Sequence, residues 1–295
     1  FPTRRSSRES APSTSRASRS IRALCGALFV APIAATLIAA APSHAAKITE
    51  CTEIKLCYCV NDELKPLIDE KIKRYRGQIA EARAAGKAIG YLSLPLSTLG
   101  GGYFNVNAEV GSATKQRVEA RFGAGSVWVL NPGEKESDLS LPSGTRGAND
   151  DYMLMWTRVL EGLTANGEDF DFVYFAGPSD FAAYFGLTGT GDMDRLSAFF
   201  DERVAKDAGL KREVERGRVT RNTFRNYYGL KASVSFSNGA HEEWNIFRTL
   251  NERRRANAKF GVANQIAVFF DGKAVATGAA ESAVAMGVSG ACKLP

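Results

Sequence analysis

The stretch Ser237-Asn238-Gly239-Ala240-His241-Glu242-Glu243-Trp244 sets two carboxylates side by side, next to a histidine. On a helix, Glu243 shares a face with Ile246, Phe247 and Leu250, at offsets of three, four and seven. Glu242 falls with Asn245 and Thr249 on the more polar side. The spacing therefore predicts Glu243 pointing inward from the first turn of a helix over about 240–256, and Glu242 as a capping residue with Gly239 at the N-cap. A buried ionised carboxylate costs several kcal/mol unless it is hydrogen-bonded or lines a wet pocket. The positive end of the helix favours the ionised form, which suits a nucleophile better than a general acid. The plainer roles for Glu243 are an internal cap or an ion pair with an arginine.

Other chemistries are excluded by what is missing. His241 is the one histidine after residue 46, so a histidine metal site has no ligand set, and a Ser-His-Asp triad has one ring to build on. No serine sits in a G-x-S-x-G turn. Gly100-Gly101-Gly102 lacks the GK[ST] ending of a phosphate-binding loop and the spacing of a dinucleotide fingerprint. It reads as a flexible loop, or as a place where a ligand approaches the backbone. Carboxylates, tyrosines and amides remain.

The elements that must position them alternate. Asn61-Asp62 caps a helix to about residue 86, with Leu64, Leu67, Ile68, Ile72, Tyr75 and Ile79 at helical spacing. Strands are expected at 88–94, 126–130, 170–176, 232–236 and 265–270, and helices at about 107–122, 150–163, 192–208, 220–228 and 240–256. This predicts an α/β fold, a mostly parallel sheet flanked by helices on both faces, of Rossmann or flavodoxin-like type, over 88–295, with a helical insertion at about 179–232. In such sheets ligands bind beyond the carboxyl ends of the strands.

Residues 1–46 hold six Arg in a Ser-rich front, an apolar stretch and a small-residue exit, which describes a signal peptide and predicts a periplasmic or secreted product with no stable membrane anchor after processing. The whole chain has 38 basic and 32 acidic residues; without this leader's six Arg and one Glu, 32 and 31 remain, so the net charge falls from +6 to +1. The basicity belongs to the leader and implies no nucleic-acid partner. Segment 47–87 carries Cys51, Cys57 and Cys59, and Cys292 lies near the other end. Four thiols in an exported chain predict two disulfides, with one N-terminal cysteine bonded to Cys292 and no bond between Cys57 and Cys59. A thiolate metal site is the weaker alternative, because its fourth ligand would stand alone at the far end.

Tyr91-Leu92-Ser93-Leu94-Pro95, Asn105 and Asn107 after the glycine loop, Val129-Leu130-Asn131-Pro132, Tyr152-Met153, Asp171-Phe172-Val173-Tyr174 and Ser237-Asn238-Gly239-Ala240-His241-Glu242-Glu243 occur in an order that resembles the nucleoside 2-deoxyribosyltransferase-like superfamily, in particular its small bacterial members. The chain departs from the pattern at Leu94, where a Gly is usual, at Trp156, which displaces an acidic residue, and in the insertion. The resemblance implies cleavage or transfer of an N-glycosidic bond in a nucleoside-like small molecule. Glu243 would be the nucleophile, Tyr91 and Asn107 would lie near the sugar, and no metal or organic cofactor would be needed. Asp151 is a candidate for binding the base or for capping its helix. Asp180 is a second carboxylate candidate or a turn residue. The rival reading is a binding or scaffold protein that keeps the sheet without the chemistry.

Overall fold

The computed structural model describes residues 46–96, 98, 100–231, 237–261, 264–276 and 292. The expected leader, apart from Ala46, and the expected strand 232–236 lie outside them.

The described chain opens with an unforeseen antiparallel hairpin, β1 (Lys47–Cys51) and β2 (Cys57–Asn61), in which Thr49 pairs with Cys59 and Cys51 with Cys57. Disulfides join Cys51 to Cys57 and Cys59 to Cys292. The Asn61 side chain accepts from the Glu63 N–H at the expected cap, and α1 runs Lys65–Ala84.

Alternation then follows as the sequence predicts: β3 (Ala88–Ser93), α2 (Phe104–Phe122), β4 (Val127–Leu130), α3 (Asn149–Glu161) and β5 (Phe172–Phe175). The segment expected as an insertion comprises α4 (Pro178–Phe185), α5 (Asp192–Lys206), α6 (Ala208–Glu215) and α7 (Arg221–Asn226), the last running into a π turn, Tyr227–Lys231. The expected helix 192–208 breaks at Asp207, whose carboxylate accepts from the N–H groups of Gly209 and Leu210 and so starts a new helix. The chain then forms α8 (Asn238–Ala256), β6 (Ala267–Phe270) and a short β7 (Lys273–Val275) that was not foreseen.

The sheet order is β4-β3-β5-β6-β7; the first four strands are parallel and β7 is antiparallel. From β3 the chain moves to one neighbour, β4, and then crosses to the other, β5. Side chains alternate across the sheet. Ile89, Tyr91, Leu130, Val173, Phe175 and Val268 share a core with residues of α1, α3, α8 and the hairpin. Leu92, Val127, Val129, Phe172 and Tyr174 gather instead with Val118 of α2. The insertion has a largely aromatic core of its own, including Phe181, Phe185, Phe200, Phe224 and Tyr228, built against Tyr103, Val106 and Val110. The triple glycine belongs to that contact. Gly101 has φ +112°, and a Cβ there would stand 2.3 Å from the carbonyl oxygen of Thr223. The close approach is to the protein's own backbone.

Candidate functional site

Tyr91 and Ser93 stand two apart on β3 and so project from the same face of the strand, toward α8. Tyr91 is fully buried, its ring set 5.9 Å from both Trp156 and Phe247 and 6.2 Å from Phe170. Packing on three sides fixes where the hydroxyl points. It donates to Oε1 of Glu243 at 2.5 Å, and the Ser93 hydroxyl donates to Oε2 at 2.5 Å. Each carboxyl oxygen thus receives a hydroxyl from the last half of one strand.

The inward direction of Glu243 is as the apolar spacing predicts, but its helix position is not. Ser237, rather than Gly239, is the N-cap, accepting from the Ala240 N–H. With α8 beginning at Asn238, Glu243 is its sixth residue and lies beyond the first turn, where the helix dipole acts most strongly. Burial therefore prevails. The carboxyl is pushed from 4.5 up to about 7, chiefly by desolvation, with the Ser93 and Tyr91 hydrogen bonds pulling it down and the Glu242 charge pushing it up. The group is poised between its two forms at neutral pH, and is not the firmly ionised carboxylate that the helix-end argument predicts. Tyr91 is raised by the same burial and by Glu243, so it stays a donor.

Glu242 also turns inward, against expectation; both glutamates are 6% exposed. Its face of α8 is covered by α3 and the hairpin. There the hydroxyls of Tyr58 and Thr157 share a hydrogen bond at 2.9 Å, and burial, together with the nearby Glu242 charge, raises Tyr58 well above the ordinary tyrosine value. The two consecutive carboxyls thus lie near different tyrosines, Glu243 against Tyr91 and Glu242 toward Tyr58.

Glu243 opens on a cleft of about 1470 Å³, whose walls include Leu94, Phe104, Tyr152, Trp156 and Gly239. Leu94 and Trp156 both face this space. The other expected site residues are elsewhere. Asn107 is fully buried, accepts from the Tyr228 hydroxyl at 2.7 Å and helps seat the insertion on α2. Asp151 spends both oxygens on backbone N–H groups, those of Asn61 and Ala148, each at 2.8 Å. It caps α3 and pins the end of β2. Asp180 accepts from Arg117 at 2.8 Å, from Tyr174 and from the Gly177 N–H, and so serves the start of α4. None of these three lines the cleft.

Ser93 and Tyr58 are absent from the candidates the sequence offers, and Glu242 is there only as a capping residue. Ser93 had a signal, since it follows Tyr91 by two on one strand. Tyr58 had none, because the hairpin was not recognised. Among the described residues no group of three or more His, Cys, Asp or Glu side chains is placed to hold a metal ion, and no helix is long and apolar enough to cross a membrane. Comparison of the chain with family models, with curated proteins and with solved structures returned no match.

Proposed function

We propose that this chain is an exported α/β protein whose cleft cleaves or transfers an N-glycosidic bond of a nucleoside-like small molecule, after the manner of the nucleoside 2-deoxyribosyltransferase-like enzymes it resembles. The observation that carries the reading is the Glu243 carboxyl at the cleft, gripped by Tyr91 and Ser93 at the carboxyl end of β3. That end is also where the chain changes direction across the sheet, the place at which open α/β sheets bind ligands. The strand order and the two cores on opposite sheet faces support a doubly wound, flavodoxin-like arrangement. Two disulfides support export, because they persist in oxidising compartments.

The chemistry follows from the carboxyl. In its ionised form Glu243 attacks the anomeric carbon; the C–N bond breaks, and the base leaves with the electron pair and takes a proton from solvent. Water, or the nitrogen of a second base, then displaces the carboxylate from the sugar carbon, losing its proton to solvent. Tyr91 and Ser93 orient the attacking oxygens and stabilise the departing carboxylate. Trp156 and Tyr152 line the cleft and give it aromatic surface against which a planar base can pack.

Two observations favour a second reading, a binding protein without turnover: both carboxyl oxygens are already engaged, and Leu94 stands where the family it resembles has glycine. The purified protein incubated with purine and pyrimidine nucleosides and with NAD separates the two. Base release that drops at least about 100-fold in Glu243→Gln is expected for the enzyme. Binding of these compounds without any base release supports the second reading and refutes the first.

A further inference from the structure

The cleft draws its walls from three helices: Phe104 and Asn105 from the start of α2, Tyr152 and Trp156 from α3, Gly239 and Glu243 from α8. Two features of these walls bear on what they hold. One is aromatic. Phe104 remains 46% exposed where it lines the cleft, on the same cavity as Trp156 and Tyr152. An apolar ring left open in a concavity gains when a ligand covers it. The other is charge. Of the described lining residues, five carry carboxyls, Glu109, Glu134, Glu136, Asp138 and Glu243, and one, Lys135, carries an ammonium; no arginine or histidine is among them. Arg203 neutralises Glu109, and Lys115 neutralises Glu134 at 2.8 Å. Glu136 and Asp138 stand exposed on the rim, and Lys71 reaches this loop as a donor to the Glu136 carbonyl oxygen. Helix starts at the cleft are occupied by the chain's own side chains: Asp151 accepts from the Ala148 N–H and Ser237 from the Ala240 N–H.

We propose that the ligand of this cleft is a nucleoside whose base is a cationic heteroaromatic ring of pyridinium type and whose sugar carries no phosphate. The inference rests on the reading of Glu243 as a glycosidic nucleophile for turnover, though not for recognition. A flat cation answers both features. Its charge suits a concavity in which carboxyls outnumber ammonium groups, and its ring packs on aromatic side chains. A phosphate would meet those carboxyls with no guanidinium among the described lining residues to grip it. The chemistry agrees with the recognition. As a Glu243 oxygen bonds to the anomeric carbon, the electron pair of the breaking C–N bond returns to the ring nitrogen, which leaves neutral and needs no proton. Water then displaces the carboxylate from the sugar carbon and releases one proton to solvent. Leaving-group protonation is thus unnecessary, and the Tyr152 hydroxyl is already turned to Leu139 and Asp138. A bound cation also favours the ionised form of Glu243, which burial alone pushes up to about 7.

The experiment measures the affinity of the purified protein, by calorimetry at low salt, for nicotinamide riboside, its reduced and uncharged form, its phosphate ester, and inosine; base release is followed in parallel. Nicotinamide riboside is expected to bind about 10-fold more tightly than each of the other three. Phe104→Ala is expected to weaken its binding by about 10-fold, and Glu136→Gln with Asp138→Asn to narrow its margin over the uncharged form. All three positions are exposed, so these variants keep the fold. Failure of nicotinamide riboside to bind, or equal or tighter binding of any comparator, overturns the proposal. Inosine cleaved without binding of nicotinamide riboside would leave the glycosidase reading standing and remove this ligand class. Preferential binding of nicotinamide riboside with no base released would keep the ligand class and remove the glycosidase reading.

Discussion

A carboxyl raised from 4.5 to about 7 is a cost that the fold carries whenever the group ionises. The folded protein holds the Glu243 proton more tightly than the unfolded chain does. The stabilising contribution is therefore whole below about pH 4.5 and is lost as pH rises through about 7. The separation of the two values amounts to about 3 kcal/mol. The unfolding free energy of the unaltered protein, minus that of Glu243→Gln, should fall by about that much between pH 4.5 and about pH 8, as read by urea unfolding at several pH values. A difference that stays flat across this window would show that Glu243 titrates normally. Periodicity found this residue because Ile246, Phe247 and Leu250 mark one buried face unmistakably. It misjudged Glu242 because Asn245 and Glu242, though polar, are also buried, at 4% and 6% exposure. A helix covered on two sides hides polar residues that a single-stripe reading assigns to solvent.

At the level of elements, β3, β4, β5, α1, α2 and α3 announce themselves through apolar runs and helical spacing, and the structure places them within a few residues of expectation. The hairpin does not, because Lys47-Ile48-Thr49-Glu50-Cys51 alternates between exposed and half-buried positions and offers no apolar face to detect. It is held by cysteines and by the carboxylates of α3 rather than by a hydrophobic stripe. The α4 helix was obscured by Gly177-Pro178-Ser179, which reads as a turn but serves as a helix start once Asp180 caps it. The two disulfides should contribute unequally in the loop-entropy picture, since they bridge 6 and 233 residues. Replacing Cys59 and Cys292 together by Ser is expected to cost about 4–5 kcal/mol and replacing Cys51 and Cys57 about 2–3 kcal/mol, as measured by urea unfolding. Equal losses would locate the effect in the folded state instead of the unfolded chain.

Across the whole molecule, the far end of α8 is tied down as firmly as its start. Arg254, 5% exposed, donates to the carbonyls of Asn166, Gly167, Phe170 and Asn264, closing the loop that leads into β5 onto the helix that carries Glu243. Arg254→Ala strands several buried carbonyls at once and is expected to cost at least about 2 kcal/mol in urea unfolding. Arg254→Lys should recover little, since an ammonium cannot reach the same spread of acceptors. A loss below about 0.5 kcal/mol would mean that water replaces the guanidinium. The α/β character was evident from strands alternating with helices. The separate core of the insertion was not, because its aromatic residues, spread over α4 to α7, identify their partners on α2 only once the chain has folded back on itself.

The spans of the two disulfides also impose an order of assembly. A chain delivered from its amino end exposes Cys51, Cys57 and Cys59 almost together, whereas the thiol that Cys59 needs arrives 233 residues later. For nearly the whole of that interval Cys59 waits beside two cysteines with which it is able to mispair, and a thiol-exchange catalyst acting on newly arrived chains would raise the yield of the native pairing.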